Sequence, residues 1–127
     1  MQDQRSERGA AAVEFALIVP LMLVVLFAIL DLGWVFNQQL AVTAAAREGA
    51  RIAAVHSDAA GQADAEDLVN DLLTVTPTIT WESACGPATD DRITMVVSVP
   101  LTDLTGWLTA IADEATLEGR GSMRCGG

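Results

Sequence analysis

Between Ala10 and Leu30 the chain carries one charged side chain, Glu14, in an otherwise uncharged and mostly apolar run. A helix needs about 20 such residues to cross roughly 30 Å of hydrocarbon. The run therefore commits the N-terminal part of the chain to a long membrane helix before any tertiary fold is considered. A carboxylate inside a span costs on the order of 2.5–3.5 kcal/mol on insertion scales, and such groups usually have a purpose. Glu14 closes the segment Gly9-Ala-Ala-Ala-Val-Glu14, which suggests a helix that does more than anchor.

Three readings compete for this segment. A secretory signal peptide would have an apolar core of about 7–15 residues; this run is longer, and the candidate cleavage site Ala44-Ala45-Ala46 lies well beyond it. An uncleaved anchor explains the length. Trp34 and Phe36 would then stand at the headgroup level, while Arg5, Arg8, Arg47 and Arg51 leave the charge bias across the span undecided. That reading leaves Glu14 without a role. In the third reading, cutting after Gly9 frees a positively charged amine on Ala10. Ala10 and Glu14 are i and i+4, on one helix face and about 6 Å apart along the axis. A carboxylate in lipid needs a cation, and this amine, from the same chain or a neighbour, would supply one. Pairing with a neighbour would fix the stagger of packed helices.

The segment Glu7-Arg8-Gly9-Ala-Ala-Ala-Val-Glu14-Phe15-Ala-Leu-Ile-Val-Pro20 resembles the class III leader and N-terminal helix of pilins and pseudopilins. More narrowly it resembles the TadE-like family of Tad (tight adherence) pilus systems. A second block carries the narrower resemblance: Asp31-Leu-Gly33, Asn37, and then Ala44-Ala-Ala-Arg47-Glu48-Gly49-Ala50-Arg51. The resemblance implies that a prepilin peptidase cuts between Gly9 and Ala10, and that Glu14, followed by Phe15, serves subunit assembly. It implies partners among other pilin-like subunits, the Tad assembly machinery and membrane lipid. It also favours a structural contact at Arg47, Glu48, Gly49 and Arg51, between helix and globular part or between subunits, over a merely solvated helix face. The expected division is a cytoplasmic leader over 1–9, a transmembrane helix over 10–36 and an extracytoplasmic domain over 37–127. The expected function is that of a minor pilin or pseudopilin in pilus assembly and adhesion. The alternative is a non-polymerising, membrane-anchored binding or adhesive module.

A net charge of −10 argues against a nucleic-acid partner, because no basic stripe exists to displace counterions from phosphates. Cys85 and Cys125 both follow the apolar run. In an oxidising compartment they would close one disulfide; two buried free thiols are the other reading. Without CxxC spacing, and with His56 the one histidine, no zinc site is expected. His56 beside Ser57 and Asp58 makes no catalytic triad, whose members come from separate elements. No enzyme activity, metal or cofactor is expected.

The remainder reads as a small α+β domain. Asn37 to about Ala54 continues as a helix, with Gly49 costing about 1 kcal/mol relative to alanine. Ser57–Asp64 reads as a turn, and Ala63–Leu73 as an amphipathic helix with a solvated acidic face. Thr76–Glu82 and Arg92–Val99 read as a hairpin around a turn at Ser83–Asp91. Leu101–Asp113 has helical spacing with Asp103 as N-cap. Ala115–Cys125 reads as a third strand weakened by Gly119 and Gly121, bringing Cys125 beside Cys85. Asp31 is expected to be a solvated residue at the membrane interface.

Overall fold

A computed structural model describes residues 3–56, 58–86 and 91–126, with side chains from Gly9 onward. One helix, α1 (Asp3–Val55), occupies 53 residues and runs through Pro20. At 1.5 Å per residue it is about 80 Å long. It is followed by α2 (Ala59–Leu72), β1 (Thr78–Ser83), β2 (Arg92–Pro100), α3 (Trp107–Ile111) and β3 (Thr116–Arg124). The strands form one antiparallel sheet in the order β1-β2-β3. The architecture is the expected α+β: a long apolar helix bearing a small head with a three-stranded sheet.

The head is built directly on the second half of α1. Val42, Ala45, Ala46, Ala50, Ala53 and Ala54 are buried against Ala65 and Val69 of α2 and Ile93, Met95, Val97 and Val99 of β2. Those α1 positions recur at three- and four-residue spacing, one face of a helix. Most are alanines, and the reason lies in β3. A Cβ on Gly121 would come within 2.1 Å of the Ala46 carbonyl oxygen, and one on Gly119 within 2.6 Å of that of Val42. Strand backbone thus lies directly on helix backbone. The two glycines do not weaken the strand; they are what lets it dock, with the alanines supplying the facing surface.

The sheet's other face is polar and stapled. Arg120 on β3 pairs with Glu82 on β1 at 2.7 Å, across β2. The β2 residue opposite Arg120 is Val96, which this bridge covers and which is 5% exposed. On the core face, Trp81 Nε1 donates to Glu66 Oε1 at 2.8 Å, tying β1 to α2. Cys85 and Cys125 form a disulfide with a Cα–Cα distance of 5.7 Å, linking the two outer strands past the end of β2.

Several boundaries differ from the sequence reading. Residues 59–64 are helix rather than turn: the Asp58 carboxylate caps α2 by accepting from Gly61 N at 2.9 Å, which starts the helix early. Gly61 itself packs against His56, whose carbonyl a Cβ would strike at 1.9 Å. The helix expected over Leu101–Asp113 contracts to α3, five residues long, because the chain before it is held extended against α1. Asp103 still caps it, reaching past Gly106 to accept from Leu108 N at 2.8 Å and from Thr109 Oγ1 at 2.9 Å. The N-cap position belongs to Gly106, whose φ of 80° suits glycine. Of the turn expected over Ser83–Asp91, residues 87–90 lie outside the described residues, as do Ser57 and the first two residues of the leader.

Candidate functional site: the helix and its latch

Two surfaces of α1 carry the candidate residues. The first is the exposed apolar half. From Gly9 to Leu30 no residue is buried, and the large side chains Val13, Phe15, Leu17, Leu21 and Val24 are 61–72% exposed. This is the one described helix long and apolar enough to cross a membrane. Gly9 and Ala10 lie within it, and a Cβ on Gly9 would meet nothing within 4 Å. Glu14 is exposed one turn beyond Ala10, beside Phe15, with no ion pair or hydrogen bond among the described residues. An exposed carboxylate on such a surface is open to a partner from outside the chain.

The second surface is the Arg47–Arg51 block, where the four residues divide between two faces. Gly49 turns inward: a Cβ there would lie 2.5 Å from Met95 Sδ and 3.0 Å from Val69 Cγ2, so α1, α2 and β2 converge on it. Arg47 and Arg51 are exposed. Arg51 pairs with Glu48 at 2.8 Å, one turn away on the same helix. The hydrogen bond from Arg51 holds the Glu48 carboxyl below the usual range, and the same bond raises the Arg51 guanidinium above its own. Within the chain, then, contact with the globular part is made by Gly49, while the charged residues face outward.

The residue sequence reasoning misjudged is Asp31. It is not solvated but fully buried, 0% exposed. Its Oδ1 accepts from the backbone N–H groups of Leu104 and Thr105 at 3.0 and 3.2 Å, and its Oδ2 accepts from Thr105 Oγ1. One helical face above, Gln38 exchanges two hydrogen bonds with Thr102, 2.8 and 2.9 Å. Gln39 Nε2 donates to the Glu118 carbonyl at 2.7 Å. A strap of chain from Thr102 to Thr105 is therefore latched along α1. A signal for this was present: Asp31, Val35, Gln38 and Val42 are spaced four, three and four apart, which places Asp31 on the face that becomes the core. Just ahead of α3, Asp103 is pushed up by desolvation, but hydrogen bonds from Thr109 and the Leu108 and Thr109 amides outweigh this and leave it below its ordinary value.

Taken together, the chain joins an unburied apolar helix half, long enough to cross a membrane and bearing Glu14, to a disulfide-closed α+β head. Residues 9–51 match the family model of TadE-like proteins, so the resemblance read from the sequence holds over that stretch. The match ends four residues before α1 does and includes Gly9, Glu14, Asp31 and the Arg47–Arg51 block. No curated protein and no solved structure matches the chain.

Proposed function

We propose that the protein is a minor pilin or pseudopilin of a Tad-type pilus, acting in pilus assembly and adhesion. The observation that carries this reading is the TadE-like match over a helix whose first half is unburied and bears Glu14 on its surface. In this reading a prepilin peptidase cuts between Gly9 and Ala10, removing leader 1–9. Residues 10–36 hold the subunit in the lipid of the cell membrane with the leader on the cytoplasmic side, and residues 37–127 stand outside it. Assembly machinery then moves the helix into a bundle of pilin-like subunits, where its apolar face stays covered.

The chemistry is pairing, not catalysis. Glu14, with Phe15 beside it, accepts the Ala10 amine of a neighbouring subunit, a geometry supported by their one-turn separation along α1. Arg47 and Arg51 face outward and are available to a second subunit. N-terminal sequencing of the membrane-extracted protein tests processing: a mature chain starting at Ala10 is expected. Glu14→Ala is expected to be cleaved normally and to fail in assembly. An intact leader, or a Glu14→Ala strain with normal pili, would favour a static anchored module instead.

A further inference from the structure

The latch at Asp31 puts α3 at an unexpected level. Trp107 and Thr105 line one open apolar cleft together with Val24, Phe27 and Ala28 of α1. Those residues precede Asp31 by three to seven positions, about 5–10 Å back along the axis toward the N-terminus. If Ala10 marks one edge of roughly 30 Å of hydrocarbon, the other edge falls near Leu30. The strap therefore bends back from the head to the depth of the apolar span.

Its side chains suit that depth. Leu104 is 58%, Trp107 43% and Ile111 75% exposed, although they flank one another on a short segment. Asp103 is the one charged residue from Leu101 to Ala112, and its carboxylate is taken up by Leu108 N and Thr109. Several of its backbone donors find partners within the protein, as a low-water setting favours. Leu104 and Thr105 N–H go to Asp31, Ala110 N–H to the Gly106 carbonyl and Ala112 N–H to that of Leu108. Asp113 and Glu114, both exposed, end the apolar stretch. Glu114, at φ 58°, turns the chain back to β3. Tryptophan is the residue expected at the boundary of headgroup and hydrocarbon.

We propose that Leu104–Ile111 is a membrane-dipping wedge. Leu104, Trp107 and Ile111 enter the lipid leaflet nearest the head, beside Val24–Ala28, and Asp31 is the latch that holds them there. The occupant of this apolar surface is lipid, because it is continuous with the exposed apolar face of α1 at the same level. The wedge sets how far the span sits in the bilayer and keeps the head against the membrane surface. It rests on the reading of α1 as the membrane anchor.

The test is depth-dependent quenching of tryptophan emission by phosphatidylcholine brominated on its acyl chains, in vesicles holding the full chain at low density. Trp34→Phe with Trp81→Phe leaves Trp107 as the emitter; Phe15→Trp with all three native tryptophans replaced by phenylalanine reports the span. The expected result is quenching of both probes by bromolipid, with Trp107 shielded from acrylamide in the water. Quenching of the Phe15→Trp probe with Trp107 unquenched and open to acrylamide overturns the wedge and leaves the anchor standing. An unquenched Phe15→Trp probe overturns the anchor itself. Should the triple background fold poorly by circular dichroism, the emission lost between the natural chain and Trp107→Phe alone gives the same reading.

Discussion

Along one helix, α1 offers two apolar surfaces with opposite fates. Val13, Leu17, Leu21 and Val24 are 61–72% exposed, whereas Val42, Ala45, Ala46, Ala50 and Ala53 are at 1% or less. The difference is side-chain size more than hydrophobicity. The first half is made of large leucine, valine, isoleucine and phenylalanine side chains, which suit a fluid surface that conforms to them. The second half is alanine-rich because its partner is the backbone of β3, which cannot approach a helix carrying larger groups. A helix can thus be divided into a surface for a soft neighbour and a surface for a rigid one without a break in its backbone. Asp31 sits where the two meet, and there a polar latch replaces apolar contact.

Three variants test this contrast, two in the head and one at its boundary with the span. Replacing both Cys85 and Cys125 by alanine removes the bridge between the outer strands, which closes a loop of 40 residues. The chain-entropy estimate for a loop of that size is about 4 kcal/mol. Chemical denaturation followed by circular dichroism should register most of that loss in the head, with membrane insertion unchanged.

Gly121→Val attacks the rigid contact itself. The new side chain would begin 2.1 Å from the Ala46 carbonyl oxygen and 2.7 Å from Arg47 N, both backbone atoms that cannot yield without moving β3 off α1. A cost of about 3 kcal/mol, the upper part of the overpacking range, is expected in the same denaturation experiment. Gly33→Ala is the paired control, since a Cβ there meets nothing within 4 Å. If Gly33→Ala destabilised the head as much as Gly121→Val, the division of α1 into soft and rigid surfaces would be wrong.

Asp31→Ala tests the boundary. It leaves the N–H groups of Leu104 and Thr105 without their acceptor, a loss of about 2 kcal/mol for unsatisfied donors. Sheet and disulfide should survive, and hydrogen exchange should rise at Leu104 and Thr105 while the amides of β2 keep their protection.

How far the sequence anticipated this depends on the range of the interaction involved. The long helix, the hairpin and the third strand follow from local hydrophobic period and β-branched runs, and all stand in the structure. What was misjudged depends on contacts between residues distant in sequence. Asp31 looks solvated until Thr105, 74 residues away, supplies its donors. Gly119 and Gly121 look like strand breakers until α1 lies across them. The early start of α2 is the exception, a local feature: Asp58 three residues before Gly61 is a readable cap. The contrast within the Arg47–Arg51 block, with Gly49 inward and the charges outward, also needs the sheet's position, since every face of an isolated helix is equivalent.

The smallest expected effect lies in α3 and is reached by pH. Asp103 is raised by desolvation and lowered more by the hydrogen bonds from Thr109 and the Leu108 and Thr109 amides, so its folded carboxyl titrates below its unfolded counterpart. Its contribution to holding α3 is therefore complete above the ordinary aspartate range and is lost as pH falls through the depressed folded value. Acidification through that window should shift the emission of Trp107 in the Trp34→Phe, Trp81→Phe protein toward that of an unanchored residue. Far-ultraviolet ellipticity of the sheet should hold, because the disulfide and the alanine–glycine contact carry no proton. Asp103→Asn keeps a side-chain acceptor for the Leu108 amide but cannot titrate, and should flatten the profile. A profile that persists in Asp103→Asn would place the sensitivity in another carboxylate and detach the wedge's order from its own cap.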